Sequence, residues 1–407
     1  MGSVSSEAVF VTQLARELHR AGVATDQLER TVGPIAKTLG LQTEIFALPT
    51  NLTIAIGPRH SQQIIMLRLE PARPNLRKLA LLNEIFDDLQ AGKITLDSAT
   101  ALLRSLDDRC PPPPAIATIF ALVAVATGVC ALLGGGTHEL IVSAIIGVCT
   151  GILSFFTTRN ATMDRLFTFI AAFAATMIVA LYSHFVAPVN LYIAIVAGVV
   201  VLLPGYSLTL ALHELANNDL IAGTARLGRV LAILLALGCG AILGFAAAGG
   251  TLLQAANVQS HQLGTGYLIA AILLLSIGLS IELDARLRDY PWVFLASFVA
   301  MGTQVYFNLT PAHQVTPFVA ALVCGLVANG AARYLRVPQP IMQIPALHVL
   351  VPGALSYQSV LWIASKNYGD AATLATSAVL SAILIVAGLL LSQLLVPGAP
   401  LRFKAPR

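Results

Sequence analysis

The sequence predicts a polytopic α-helical membrane protein in which ten transmembrane helices form two inverted five-helix repeats behind a soluble N-terminal α+β domain. Its 407 residues are 57% hydrophobic and 11% charged, and a mean hydropathy of +0.79 excludes an ordinary soluble globule. Ten apolar segments of about 17 to 25 residues each match the ~30 Å hydrocarbon core of a bilayer as helices. Pro-Gly interrupts two of them, in VLLPGYS at 201–207 and VLVPGALS at 349–356.

Residues 1–109 are expected to form the soluble, cytoplasmic domain, and a stiff proline-rich linker at 110–114 should hold it off the first span. Apolar residues at helical spacing predict one helix that ends near Gly22 and a second that begins at a Thr25 N-cap and stops at Gly40. Three strands are predicted in TEIFAL, NLTIAI and QQIIMLRLE, and two more helices at about 75–91 and 95–107.

This domain has no recognisable catalytic signature. His19 and His60 are its only histidines, and the sequence has no nucleophile elbow, metal-ligand spacing or phosphate-binding glycine loop there. A Ser–His pair is the alternative, but surface histidines and loop serines are the simpler interpretation. We therefore expect a regulatory or gating domain and no enzymatic activity.

An internal repeat organises the rest of the chain. Pro204 and Pro352 lie 148 residues apart, and the same offset relates the starts of five apolar segments in each half to within about seven residues. The predicted repeats cover 115–248 and 264–396, and a tail follows at 397–407. Because five spans is an odd number, the two repeats must have opposite orientations, which is typical of secondary transporters with a site at the interrupted helices.

Positive charge predicts the orientation. Twelve of the 24 Lys and Arg residues precede residue 111, and the loops on the same side carry nearly all the others, namely Arg159, Arg165, Arg226, Arg229, Arg286, Arg288, Arg333, Arg336, Arg402, Lys404 and Arg407. The opposite loops carry only Lys366. By the positive-inside rule both termini are cytoplasmic, in a multi-pass protein of the cell (inner or plasma) membrane. The net charge of +4 follows from this asymmetry and does not indicate nucleic acid.

The five cysteines stand singly, without the spacing of a metal site, and are expected to pack as small apolar residues. No metal and no cofactor are predicted. The first residues are too polar for a cleavable signal peptide, so the first span is expected to direct insertion.

The stretch after the first interruption carries the candidate substrate site. If 208–219 is helical, Thr209, His213 and Asn217 form one polar stripe beside Glu214. A helix that restarts near Ser207 would point its positive end and free N–H groups at a carboxylate. The alternative is an amphipathic connection on the membrane surface, and Arg226 and Arg229 are interpreted as marking the cytoplasmic boundary.

The candidates come from both interruptions. They comprise Pro204, Gly205, Ser207, Thr209, His213, Glu214, Asn217, Asp219, Pro352, Gly353, Ser356 and Tyr357 for substrate, and Glu214, Asp219 and His348 for coupled protons. Either acid after the first interruption could instead bind a substrate ammonium group. His348 has the alternative interpretation of a core histidine.

The chain resembles the threonine/serine exporter family in its fused two-module form. The resemblance rests on PGYSLTLALHELANNDLIAGTARL at 204–227, supported by RELHRAGVATDQLERTVGPIAKTLGL at 16–41 and IPALHVLVPGALS at 344–356. It implies proton-driven export of small hydroxy amino acids, with an N-terminal cytoplasmic domain. Related split modules are associated with dicarboxylate export.

The expected function is therefore a secondary exporter of threonine and serine that works by alternating access in the lipid bilayer. The alternatives are an exporter of succinate-like dicarboxylates, a membrane-anchored sensor or hydrolase whose active part is the N-terminal domain, and a passive channel. Homo-oligomerisation is left open.

Overall fold

The computed structural model describes residues 5–397 except 59, 71–72, 158–159, 250–265, 309, 311–312, 336 and 351–352. The expected loop between the two repeats, Pro352 and nearly all of the C-terminal tail therefore lie outside the described residues.

The N-terminal part is a three-stranded antiparallel sheet, in the order β1-β2-β3, with helices packed on one side. Its elements are α1 (Ser6–Arg20), α2 (Thr25–Thr38), β1 (Thr43–Leu48), β2 (Asn51–Ile56), β3 (Gln63–Arg68), α3 (Leu76–Gln90), α4 (Leu96–Arg104) and α5 (Leu106–Arg109). Ser5, Asn75 and Thr95 cap α1, α3 and α4 through side-chain oxygens. The three predicted strands are confirmed, since all three pair in one sheet. Alternate apolar residues of β2 are buried against the helices.

Thr25 is not the N-cap that the sequence predicts. The cap position of α2 is Ala24, which makes no side-chain capping bond, and Thr25 is the first helical residue. Its hydroxyl is directed away from its own helix, towards a distant part of the chain.

The remainder of the described chain is helical. The first half contains α6 (Ala115–Leu132), α7 (Thr137–Thr157), α8 (Ala161–Phe185), α9 (Leu191–Gly198), α10 (Gly205–Ala216) and α11 (Leu220–Ala247). The second half contains α12 (Gly266–Glu282), α13 (Tyr290–Asn308), α14 (Thr316–Tyr334), α15 (Gln339–Leu350), α16 (Gly353–Ala364) and α17 (Tyr368–Leu395).

Among the described residues, seven helices are long and apolar enough to cross a membrane, and a bent pair raises the number to eight. The bent pair is α9 with α10, joined by a 3-10 turn at Val200–Leu202 and angled at 61°. The chain is thus a multi-pass membrane protein. The ten predicted spans would also require α12, which has only 17 residues, and α13, which is not among the helices counted as long and apolar enough.

The first interruption falls where Pro-Gly predicts it. Leu203 has extended backbone angles, and Pro204 precedes the first residue of α10, where its missing N–H leaves no intrahelical bond unmade. The helix restarts at Gly205, earlier than the expected Ser207 or Leu208. Consequently the first-turn N–H groups belong to 205–207, directly at the bend.

Two pairs of equivalent helices in the two halves have equal lengths. Helices α10 and α16 each have 12 residues, and α11 and α17 each have 28. The turns before α11 and α17 hold Asn218 and Lys366 at positive φ, 64° and 61°, and these two residues are again 148 positions apart. The offset read from the sequence therefore also relates turns and helix ends.

The N-terminal part packs directly on one end of the helical bundle. Leu283, Ala285 and Val293 of the bundle belong to the same apolar core as its helices. The N–H groups of Leu76 and Arg77 donate to the carbonyls of Leu283 and Asp284, at 2.9 and 3.0 Å. Buried backbone and apolar contacts thus join this part to the region between α12 and α13, and the expectation that the prolines hold it off the first span stays a prediction.

Candidate functional site

The glycines that follow the two prolines in sequence lie close together inside the bundle. A Cβ atom placed on Gly353 would lie 3.2 Å from Leu203 Cβ and 3.3 Å from Gly205 Cα. Both glycines are buried; Gly205 begins α10, and Gly353 is the first described residue of α16. Free N–H groups at a helix start favour an anion, and the start of α10 adjoins the other half of the chain here.

Two buried hydroxyls lie within the first two turns of these helices. Thr209 on α10 is 2% exposed and Tyr357 on α16 is 0% exposed. Thr209 Oγ1 and Tyr357 Oη have no hydrogen-bond partner among the described residues. A buried polar group without a partner costs about 1–3 kcal/mol, so these two hydroxyls are suited to receive a ligand group.

Aromatic rings join the two halves on either side of the interruptions. Tyr206 of α10 stacks on His348 of α15 with ring centroids 5.0 Å apart, and Tyr192 of α9 stacks on Trp362 of α16 at 4.7 Å. His348 Nδ1 donates to the carbonyl of Ile344 at 2.8 Å, which leaves Nε2 as its free ring nitrogen. His348 therefore has a packing role beside the first interruption, independent of any role in proton transfer.

A second polar cluster lies at the far end of α10, next to the N-terminal domain. Arg226 Nε and Nη2 donate to the two carboxylate oxygens of Glu214 at 2.9 and 2.8 Å, and this acid is fully buried. Such a two-point guanidinium–carboxylate pair is among the stronger ionic contacts in proteins. Arg226 therefore does more than mark a membrane boundary, as its sequence position suggested.

Thr25 and Asp26 of α2 complete this cluster. The Thr25 hydroxyl lies 2.9 Å from Glu214 Oε1 and 2.6 Å from Asp219 Oδ2. Asp26 Oδ2 accepts from Asn217 Nδ2 at 3.1 Å, and Asp26 Oδ1 lies 3.9 Å from His213 Nδ1. Sequence reasoning did not identify Thr25 as a site residue, because 189 positions separate it from Glu214.

The cluster is largely buried and rich in charge. Burial raises the pKa of Glu29, which accepts from the N–H of Ala47 at 2.9 Å, and Asp219 and Asp26 add to this rise. Burial lowers the pKa of His19, and the nearby Arg226 lowers it further. A charged group that enters this interface is therefore destabilised unless it gains a partner of opposite charge or a hydrogen bond.

The predicted site residues thus fall at two levels. Those nearest the interruptions are Pro204, Gly205, Ser207, Thr209, Gly353, Ser356 and Tyr357, and those in the outer cluster are His213, Glu214, Asn217 and Asp219. Twelve residues separate Gly205 from Asn217, a helical rise of about 18 Å, so one small substrate cannot touch the start of α10 and Asn217 at once. Thr209 and His213 lie four residues apart, about one helical turn, so the two levels adjoin there. Among the described residues, no group of three or more His, Cys, Asp and Glu is arranged to hold a metal ion.

A multi-pass helical bundle in which an interrupted helix approaches the other half of the chain, close to buried hydroxyls that have no partner among the described residues, is typical of a membrane transporter. A family model described as a threonine/serine exporter matches residues 9–248, and a second, described as "Threonine/Serine exporter, ThrE", matches residues 267–395. The chain belongs to the threonine/serine exporter family, and the fused two-module form indicated by the sequence is confirmed.

Curated relatives are similar over most of this chain. Pheromone-regulated membrane protein 10 of Pichia sorbitophila is 23% identical over 369 residues, covering 86% of this chain and 36% of that protein. The protein of the same name from Eremothecium gossypii is 21% identical, covering 92% and 52%, and an uncharacterized protein of Schizosaccharomyces pombe is 22% identical, covering 88% and 45%. The chain thus spans roughly a third to a half of these relatives. No solved structure matches it.

Proposed function

We propose that the protein is a secondary active exporter of small hydroxy amino acids, threonine and serine, that works by alternating access and is driven by the proton gradient. The observation that carries this proposal is the close approach of Gly205, where the bent helix of the first half begins anew, to Gly353 of the second half. Membership of the exporter family supports the substrate class. The protein would act as a transporter without enzymatic activity.

The proposed architecture is ten spans in two inverted repeats. It is supported by the equal lengths of α10 and α16 and of α11 and α17, and by the positive-φ turns that precede α11 and α17. A helix of 17 residues, such as α12, lies at the short end of what spans a bilayer. In this arrangement the loops that carry arginine, and both termini, face the cytoplasm of the cell membrane.

The inner level is the proposed binding site. Backbone N–H groups at the start of α10 and in the first described turn of α16, near Ser207 and Ser356, would bind the substrate carboxylate. The hydroxyls of Thr209 and Tyr357 would bond the substrate hydroxyl, which would satisfy two groups that have no partner among the described residues. Recognition of a hydroxyl by buried polar groups discriminates strongly against analogues that lack it.

The outer cluster is proposed to bind the ammonium group, or to carry the coupled proton, at another stage of the cycle. Glu214 is engaged by Arg226, so Asp219 is the acid better placed to exchange a proton. His348, through its free Nε2, is the further candidate for proton transfer between the levels.

Counterflow in proteoliposomes tests the substrate class. Vesicles that contain the full chain and unlabelled threonine should accumulate labelled threonine and serine, and a collapsed proton gradient should abolish net uphill export. Exchange of labelled succinate without exchange of threonine or serine would replace this proposal with dicarboxylate export. Downhill flux that is the same with and without a proton gradient would indicate a channel.

A further inference from the structure

A two-residue segment of the N-terminal domain presents three polar groups to the outer cluster. The Thr25 hydroxyl lies between Glu214 and Asp219, and the Thr25 N–H points to Glu214 Oε1 at 3.5 Å. Beside them, the Asp26 carboxylate faces the Asn217 amide and the His213 imidazole. An N–H, a hydroxyl and a carboxylate therefore enter one polar site together.

These are the groups of a free hydroxy amino acid. Threonine and serine carry an ammonium, a hydroxyl and a carboxylate on three neighbouring carbon atoms. The site places a suitable partner near each group, because acids accept from the N–H and the hydroxyl, the Asn217 amide donates to the carboxylate, and the His213 imidazole lies 3.9 Å from that carboxylate. A free molecule would gain further, since its ammonium is charged and the amide N–H is not.

The stability of α2 itself does not explain this placement of Thr25. Threonine near a helix start ordinarily bonds a backbone N–H of its own helix, yet the Thr25 hydroxyl bonds to carboxylates 189 and 194 positions away. The residue is 1% exposed, so its contacts contribute to domain docking.

We propose that Thr25–Asp26 occupies, in the manner of a tethered substrate, an entry site for free hydroxy amino acids formed by His213, Glu214, Asn217, Asp219 and Arg226. This inference rests on the proposed function and adds a control step to it. Cargo must displace Thr25 before it can pass along α10 towards the inner level. The occupied state is the closed state, and the N-terminal domain is the closure.

A tethered occupant competes with free ligand at an effective concentration on the order of millimolar. Displacement therefore requires free threonine or serine to accumulate to comparable levels. Export would therefore become fast only when free threonine or serine is in excess, and little amino acid would be exported at low concentration.

The test compares Thr25→Val with Thr31→Val in the full-length chain. Valine keeps the shape of threonine and removes the hydroxyl. Thr31 lies on the same helix, but its hydroxyl donates to the backbone carbonyl of Gln27 at 2.7 Å and is exposed, so its variant should behave as wild type. Asp26→Asn is a second variant that keeps size and removes the charge facing His213.

Two measurements separate this inference from the proposed function. In wild type, millimolar threonine should increase hydrogen exchange at the start of α2, and millimolar alanine should do so far less. Thr25→Val should lower the threonine concentration for half-maximal transport about tenfold without lowering the maximal rate, because a bond that holds the occupant is gone. Asp26→Asn should act in the same direction.

The outcomes are distinct. Threonine transport that is unchanged in Thr25→Val, or protection of α2 by threonine, would overturn the tethered occupant while leaving export intact. Displacement of α2 by threonine without any counterflow of threonine would support the entry site and remove the export function.

Discussion

Thr209 and Tyr357 lie on different halves of the chain, and each buries a hydroxyl that has no partner among the described residues. Threonine inside a helix can bond the carbonyl four residues back, as Thr303 does with Val299 at 2.7 Å. The hydroxyl of Thr209 does not use that option. At the scale of single residues, this pair is the feature that best distinguishes a ligand site from ordinary packing.

We expect Thr209→Val and Tyr357→Phe each to weaken threonine transport about ten- to hundredfold, because the substrate hydroxyl would lose a partner worth about 1–3 kcal/mol. Thermal stability in detergent should stay constant or rise, since each change removes a buried polar group that lacks a partner. Transport kinetics and unfolding temperature are measured on the same preparations.

The controls are Thr303→Val and Tyr267→Phe. The first removes a hydroxyl that bonds its own helix, and the second removes a hydroxyl from a tyrosine that is 59% exposed. Neither should change transport more than twofold or so. Full transport by Tyr357→Phe would contradict the assignment of the inner site.

At the same scale, sequence reasoning located Glu214, Asn217 and Asp219 as polar residues of interest but not their partners. Arg226 looked like a boundary charge, and Thr25 looked like a helix cap. A side chain's partner across a helical hairpin or across domains depends on packing, and neither periodicity nor capping rules contain that information.

Among the helices, small residues determine how closely neighbours approach. A Cβ atom on Gly240 of α11 would lie 2.3 Å from the carbonyl oxygen of Phe169 on α8, and one on Gly388 of α17 would lie 2.4 Å from that of Phe318 on α14. The last helix of each half thus packs on the third in the same way. Close approach through glycine is a common way to join helices in membranes, where apolar burial between helices adds little.

Gly240→Ala should destabilise the bundle by about 1–3 kcal/mol, because the new methyl group meets a backbone atom that cannot rotate away. Gly228→Ala, on the same helix with nothing within 4 Å of the added atom, should stabilise it by up to about 1 kcal/mol through helix propensity. Opposite shifts in unfolding temperature are the expected result. Equal shifts in unfolding temperature for the two variants would show that Gly240 and the Phe169 carbonyl lie farther apart than described.

The interrupted helices are the elements that the sequence identified best. Proline removes a backbone donor and glycine relaxes the chain wherever they occur, so the position of the first bend follows from local chemistry. Its 61° angle does not, because the angle depends on how α9 and α10 pack against the other half.

In the whole molecule, two groups of polar contacts among the described residues join the N-terminal domain to the bundle, in addition to apolar packing. One is the Thr25 cluster, and the other is the loop after α12. There Arg77 Nη2 donates to Asp284 Oδ1 at 2.9 Å and Asn75 Nδ2 donates to Asp284 Oδ2 at 3.1 Å. Arg286 adds a contact of 2.9 Å to Glu84. The N-terminal domain can therefore detach from the bundle at the Thr25 cluster while the contacts at the loop after α12 stay intact.

Asp284→Ala should weaken docking of α3 by about 1–3 kcal/mol, because Asn75 and Arg77 lose a nearly buried partner. Hydrogen exchange at the start of α3 should rise, while exchange at the start of α2 changes less. Asp88→Ala is the matched control, since its pair with Lys93 on the same domain is exposed and contributes little. Equal exchange in both variants would mean that the Asp284 anchor does not hold the domain.

The sequence by itself determined the membrane class, the family, the three N-terminal strands and the place of the first interruption. Each of these depends on composition, short-range periodicity or the fixed chemistry of proline and glycine, which act over a few residues. Only the tertiary structure decided that Gly205 and Gly353 lie together, that Glu214 pairs with Arg226, and that Thr25 completes the cluster. Those contacts join residues up to 194 positions apart, and their existence depends on how helices pack, which no local pattern encodes.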